Sequence, residues 1–154
     1  MKTFIRAWVL AAALVGLLAA PAAASEPQQA TIGDPGLINP SLRSQVLVPV
    51  TVNCVSNVEP RTGVTTVTLT QEYRGTTTTA TGQTEVICDG VTRTYLVTVE
   101  SADGEFRKGS ATASATTTFN YEVCAENQYG DRYCSLWPVT MFTDPEPISL
   151  RVGR

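Results

Sequence analysis

From Gln45 onward the chain alternates apolar and polar residues with a period of two, the signature of half-buried β-strands. In "QVLVPVTVNCV", Val46, Val48, Val50, Val52 and Cys54 share one parity. Val67, Leu69 and Tyr73 do so in the next segment, Val86 and Cys88 in a third, and Tyr95, Val97 and Val99 in a fourth. A long fifth segment carries Ala111, Ala113, Ala115, Phe119, Tyr121 and Val123 on one side; a sixth carries Trp137, Val139 and Met141; a last one carries Ile148, Leu150 and Val152. The pattern predicts strands over 45–55, 64–73, 82–88, 92–100, 108–125, 133–142 and 148–152, with a short first strand near 30–32. Pro49 lacks a donor, which points to an edge or a bulge in the first long strand.

Turn chemistry separates these segments. Asp89-Gly90 and Asp103-Gly104 are turn signals, the latter a hairpin signal within "SADGEF"; "ENQYGDR" marks a hairpin tip, and "TDPEP" breaks the pattern before the last strand. No helix is expected after the first 24 residues. Some seven short strands with regular turns predict an all-β fold, an antiparallel two-sheet immunoglobulin-like sandwich. Residues 45–154 form that domain, and 25–44, with little pattern, form a flexible N-terminal arm.

Threonine dominates "TTVTLTQEYRGTTTTATGQT", residues 65–84. Thr66, Thr68 and Thr70 alternate with Val67 and Leu69, and Thr112, Thr116 and Thr118 alternate with alanines. Threonine is β-branched and tolerates water, so these read as wet strand faces. The stretch 75–84 lacks apolar partners and reads as a loop or mobile strand edge. An ice-binding ladder would need a fixed repeat, which is absent; O-linked sugars and a ligand-binding edge are weaker readings.

The N-terminus reads as a secretory signal over 1–24: Lys2 and Arg6, an apolar run from Trp8 to Ala20, then Pro21 and small residues before Ser25. The run is shorter than the roughly 20 residues that span a bilayer, so no membrane attachment is expected after cleavage. The chain carries a net charge of −3. Without Lys2 and Arg6 it keeps 9 basic against 14 acidic side chains, a net −5. That balance argues against nucleic acid as a partner. There is no histidine, which removes the commonest general base, the His-based triads and most zinc sites. No catalytic residue, metal site or cofactor is expected.

Four cysteines in an exported chain imply two disulfides, and three connectivities are open. Cys54 and Cys88 both lie on apolar parities. Cys124 and Cys134 lie opposite the apolar parity and face each other if the last hairpin turns at Tyr129. Directly opposed strand residues have the short spacing a disulfide needs. Cys54–Cys88 inside and Cys124–Cys134 across the hairpin are therefore expected. The alternative, Cys54–Cys124 of immunoglobulin type, lacks a tryptophan between its cysteines to pack on it.

The hairpin tip is the candidate binding surface: Asn127, Gln128, Tyr129, Arg132 and Tyr133. Tyr, Arg and Asn make rigid yet adaptable contacts on loops, and a disulfide would limit the entropy lost on binding. By parity Tyr121 and Trp137 belong to the core instead. Glu100, Asp103 and Glu105 cluster weakly, and turn chemistry accounts for them better than paired-carboxylate catalysis or Ca²⁺ binding.

"VTVNC", "VICDGVTRTYLVTVES", "FRKGSATASATTTF" and a short cysteine-bridged hairpin together resemble small secreted proteins of actinobacteria with immunoglobulin-like sandwiches. The resemblance implies location and fold and no activity. A looser likeness, of architecture alone, is to the apoprotein carriers of enediyne antibiotics. The expected function is a secreted, non-enzymatic binding or structural module, monomeric, whose partner is an extracellular protein, a glycan or a small molecule. The alternative is a carrier holding a small ligand in a cleft near the disulfide hairpin.

Overall fold

The computed structural model describes residues 28–153, so the signal segment expected over 1–24 and its expected cleavage site lie outside the described residues. Nine strands account for most of the chain: β1 Gln29–Ile32, β2 Gly36–Ile38, β3 Gln45–Asn53, β4 Thr62–Tyr73, β5 Thr76–Ile87, β6 Arg93–Glu100, β7 Gly109–Glu126, β8 Arg132–Phe142 and β9 Glu146–Val152. None of the described residues forms a helix.

The strands do not form two open sheets. They close on themselves in the order β3, β2, β9, β7, β4, β5, β6 and back to β3, a seven-strand barrel with β1 and β8 as extra strands. This corrects the immunoglobulin-like sandwich, whether read from strand spacing or implied by the resemblance. Alternating residues line one buried face in either architecture, so the period cannot distinguish them. Closure depends on three features without a period-two signature. First, β6 pairs with β3 along its whole length, Arg93↔Val52 to Glu100↔Gln45. Second, β2 pairs in parallel with β9, Gly36↔Leu150 to Ile38↔Val152, which draws residues read as a loose arm into the wall. Third, β5 crosses β6 at Gly82, where a Cβ would lie 2.8 Å from the carbonyl carbon of Thr98 and 2.9 Å from Val99 Cα. Only glycine lets two backbones approach so closely, which is the usual reason for one at a barrel corner.

Other expectations change with closure. The Asp103-Gly104 segment is no hairpin: β6 and β7 do not pair. Residues 101–108 instead cross the end of the barrel, where Phe106 is fully buried. The Gln71 side chain holds this crossing, accepting the Arg107 N–H (2.8 Å) and donating to the Arg107 and Ser110 carbonyls (2.8 and 3.2 Å). The threonines of 76–81 lie in a strand: β5 pairs with β4 from Tyr73↔Thr76 onward. The tight two-residue turn between them has positive φ at both Arg74 (52°) and Gly75 (79°), the conformation that suits the twist of a hairpin.

The core lies inside the barrel. Val46, Val48, Val50 and Val52 of β3 meet Val97 and Val99 of β6, while Leu69 and Val67 of β4 oppose the small Ala113 and Ala115 of β7. Thr65 and Thr117 are buried, and their hydroxyls satisfy one another at 2.8 Å. Thr66, Thr68 and Thr70 point outward as expected, beside Thr79, Thr81, Thr112 and Thr116. Pro49 sits where β1 breaks from β2. Its carbonyl accepts the Gly33 N–H (2.8 Å) and its missing donor faces the same bend. Asp34 closes that bend onto β9, its carboxylate accepting both the N–H and the hydroxyl of Ser149 at 2.7 Å. These donors hold the Asp34 pKa below the usual carboxylate value.

Candidate functional site

Strand β7 outruns its neighbour. β4 ends its pairing at Gly63↔Phe119, but β7 continues to Glu126 paired only with β8. Residues 120–138 thus form a two-stranded ribbon that projects past the barrel. Both disulfides are as expected: Cys54–Cys88 buried at the ribbon's base, and Cys124–Cys134 across the ribbon itself.

The loop after Cys54 anchors the base. Asn57 mimics a strand residue: its Oδ1 accepts the Glu122 N–H (2.7 Å) and its Nδ2 donates to the Glu122 carbonyl (2.8 Å). The Ser56 hydroxyl donates to the Asn120 carbonyl (2.7 Å). These bonds also fix the alternation along the ribbon. The backbone groups of Asn120 and Glu122 face the loop, away from β8, so their partners Pro138 and Leu136 turn their own backbone groups to the open edge of β8. At Pro138 that edge has no donor, a feature that blunts edge-to-edge pairing.

Tyr121 and Trp137 face each other across the ribbon. Both were expected in the core; they are 37% and 60% exposed. Parity assigned them the correct face, but beyond Phe119 no strand except β8 pairs with β7, and that face opens to water. Val123 (50%) and Tyr133 (60%) extend that face, which carries no charge. The opposite face holds Leu136 and Pro138 beside the disulfide, Glu122, Glu126 and Arg132, and Phe142 lies further down β8, on the barrel wall opposite Thr116. Of the fifteen exposed large apolar side chains, seven lie on this hairpin, so the exposure is concentrated here rather than scattered.

The predicted site residues come together at the tip in different roles. Asn127 builds the turn: its Oδ1 accepts the N–H groups of Tyr129 and Asp131 (both 2.9 Å), and its Nδ2 donates to Asp131 Oδ2 (3.1 Å) and Tyr133 Oη (3.3 Å). Gly130 completes it at φ 85°. Gln128, Tyr129 and Arg132 are exposed, Tyr129 at 79%. The exposed ribbon residues missed from sequence are Tyr121, Val123, Leu136 and Trp137.

Little else on the surface offers chemistry. Glu100 accepts from Gln45 (3.2 Å) and Glu105 pairs with Arg107 (3.2 Å), so these two carboxylates serve separate partners, while the backbone N–H of Asp103 donates to the Ser101 hydroxyl (3.3 Å) in a local turn. Glu122 lies beside Cys124 and Cys134, but both sulfurs are committed to the disulfide, leaving one carboxylate and no metal site. Asp89, in the loop that follows Cys88, has its pKa lowered to about 2, chiefly by the Arg93 guanidinium that donates to it and then by the Val91 N–H.

The chain matches no protein-family model, and no curated protein or solved structure is significantly similar to it. Two disulfides are consistent with an extracellular protein, and among the described residues no helix is long and apolar enough to cross a membrane.

Proposed function

We propose that this protein is a secreted, non-enzymatic contact module whose working surface is the disulfide-stapled ribbon. One observation carries the reading: aromatic and aliphatic side chains are held out in water on a ribbon that contributes nothing to the barrel core. Exposed apolar clusters of this kind mark interaction sites, and Trp, Tyr and Arg are the residues that dominate contact energetics. The staple and the Asn57 anchor support it further, because a pre-ordered ribbon loses little entropy on docking. For the carrier alternative, the grooves found among the described residues lie elsewhere than beside the hairpin. The grooves on the barrel are lined by residues such as Tyr73, Thr78 and Gly104, or Leu37, Val46 and Leu47, away from the ribbon.

The test is retention of labelled mature chain on the cells and extracellular matrix of the organism that makes it. Trp137→Ser and Tyr133→Ser, checked for unchanged melting, are each expected to weaken retention by about 2 kcal/mol, roughly 30-fold. Unchanged retention in both variants refutes the reading. A discrete small molecule seen in the native mass and lost on denaturation would move the carrier ahead.

A further inference from the structure

We propose that the end of the barrel away from the ribbon holds a second site, which binds a sugar carboxylate, the chemistry of a uronic acid unit. It does not depend on the role of the ribbon. A groove of about 610 Å³ lies there, between the β4–β5 turn and the crossing over 101–108. That is within the roughly 300–1,000 Å³ of ordinary ligand sites. Arg74, Thr76 and Thr78 line it from the hairpin, and Gly104, Glu105 and Arg107 line it from the crossing. The crossing is held in place by the bonds of Gln71 to the backbone of Arg107, so the two walls are fixed before any ligand arrives.

Thr78 makes the floor of the groove. It shares the inward parity of β5 with Ala80 and is only 9% exposed. The buried Thr65 and Thr117 satisfy each other's hydroxyls at 2.8 Å. The Thr78 hydroxyl makes no hydrogen bond among the described residues, and what remains open of this side chain faces the groove. A buried hydroxyl without a partner is costly, and a ligand hydroxyl supplies one here. Gly104 keeps that approach open: a Cβ at this position would lie 2.7 Å from Thr78 Oγ1 and 3.1 Å from its Cγ2.

Arg74 supplies the charge. It holds φ at 52° in a turn position that favours Asn, Asp or Gly, so the turn itself gives no reason for an arginine. Its guanidinium stands 5.3 Å from the centroid of the Tyr73 ring, which positions it, and it forms no ion pair among the described residues. Arg107 differs: Glu105 neutralises it at 3.2 Å. Two cations and one anion leave the lining with a net single positive charge, in a chain whose own balance is −3. One carboxylate matches that charge, and a guanidinium grips it through two parallel hydrogen bonds. A phosphate dianion would bring excess negative charge against Glu105, and a neutral sugar would leave Arg74 unmatched. Thr76, Thr78 and the outer oxygen of Glu105 offer the donors and acceptors that ring hydroxyls need.

An NMR titration of ¹⁵N-labelled residues 25–154 tests this, with sodium D-glucuronate, D-glucose and sodium acetate as separate probes at equal ionic strength. Glucuronate is expected to shift the amides of Arg74, Thr78 and Gly104 with a millimolar Kd, and glucose and acetate to bind at least tenfold more weakly. Arg74→Asn installs a residue the turn prefers, so Tm should hold or rise while glucuronate binding falls at least tenfold. Thr78→Val keeps the side-chain shape and should weaken glucuronate about fivefold. Arg61→Gln, which removes an exposed cation at the ribbon end of β4, should change nothing. The inference is overturned by the absence of saturable shifts at those amides. It is equally overturned by acetate or glucose binding as tightly as glucuronate, or by an Arg74→Asn variant that binds like wild type. Retention through the ribbon is read separately, so failure here leaves the contact module standing.

Discussion

Removing the two disulfides separately should have unequal consequences. The perturbation is the pair Cys54→Ala with Cys88→Ala, compared with Cys124→Ala and Cys134→Ala. The bridged cysteines are separated by 34 residues inside and 10 across the ribbon. Loop-closure entropy alone assigns about 4 kcal/mol to the first and about 3 kcal/mol to the second, a small difference. Burial separates them. Cys54 and Cys88 are fully buried in the core, against Gly63 and the base of the ribbon. Truncating them adds a cavity penalty of about 1 kcal/mol or more, for a total near 5 kcal/mol. The ribbon can open beyond Asn120 while the barrel stays closed, because its strands there pair only with each other. Most of the entropy gained by losing the outer bridge then appears as local opening, not as lost barrel stability.

Calorimetry on residues 25–154 reads the barrel. At about 3–5 °C per kcal/mol for a domain of this size, the inner pair should lower Tm by roughly 15–25 °C and the outer pair by roughly 4 °C or less. Fluorescence anisotropy reads the ribbon, since Trp137 is the sole tryptophan after residue 24. Anisotropy should fall in the outer variant well below its Tm. Equal falls in Tm, or an outer variant whose Trp137 stays as immobile as in wild type up to the main transition, would refute the independence of ribbon and barrel.

Two further predictions concern closure and acid. Gly82→Ala places a Cβ against the backbone of Thr98 and Val99, which cannot rotate away, and should cost about 3 kcal/mol. Gly75→Ala, with φ at 79° but open space around it, should cost about 1 kcal/mol; urea midpoints that rank the two equally would count against the barrel corner. Asp89 has a folded pKa near 2, below its unfolded value of 3.8. Its contribution is therefore complete above pH 4 and lost as pH falls through 2. Asp34 is shifted in the same direction by Ser149. Asp89→Asn should flatten the fall in local exchange protection at Val91 between pH 4 and 2, and an unchanged slope would show that the Asp89–Arg93 pair does not stabilise the loop.

Much of the wall was legible. Parity located the buried valines of β3 and β6, the wet threonine faces and both disulfides, because each depends on which side of one strand a residue occupies. Closure was not legible, because it depends on which strands meet. The Asp103-Gly104 signal was read as a hairpin since its residues suit a turn, yet what decides the crossing is Phe106 filling the barrel end and Gln71 binding the backbone of 107 and 110. The β4–β5 turn is hard to read from sequence for the converse reason. Arg74 is not a residue that advertises positive φ, and Gly75 alone carried the signal. Gly36 and Gly82 carry a cue to closure: glycines inside extended segments mark close backbone approach, and both lie where the barrel closes.

The ribbon shows the limit of parity most clearly, together with a length argument that supplies what parity lacks. Tyr121 and Trp137 lie on the same face as Phe119 and Val139, and that face is the barrel interior as far as Phe119. A residue on the inward parity is buried only if another strand runs beneath or beside it. β7 spans 18 residues and β4 spans 12. β4 can begin no earlier than the break at Glu59-Pro60-Arg61, and its register sets Gly63 opposite Phe119. Beyond that point β7 has only β8 on one side and the Asn57 side chain on the other, so its inward face opens to water. The strand-length mismatch, readable from the breaker at residues 59–61 and the unbroken run from 109 to 126, thus predicts a projecting ribbon. The exposure of Tyr121, Tyr133, Leu136 and Trp137 on a ribbon with no core to fill is the observation on which the proposed contact role rests.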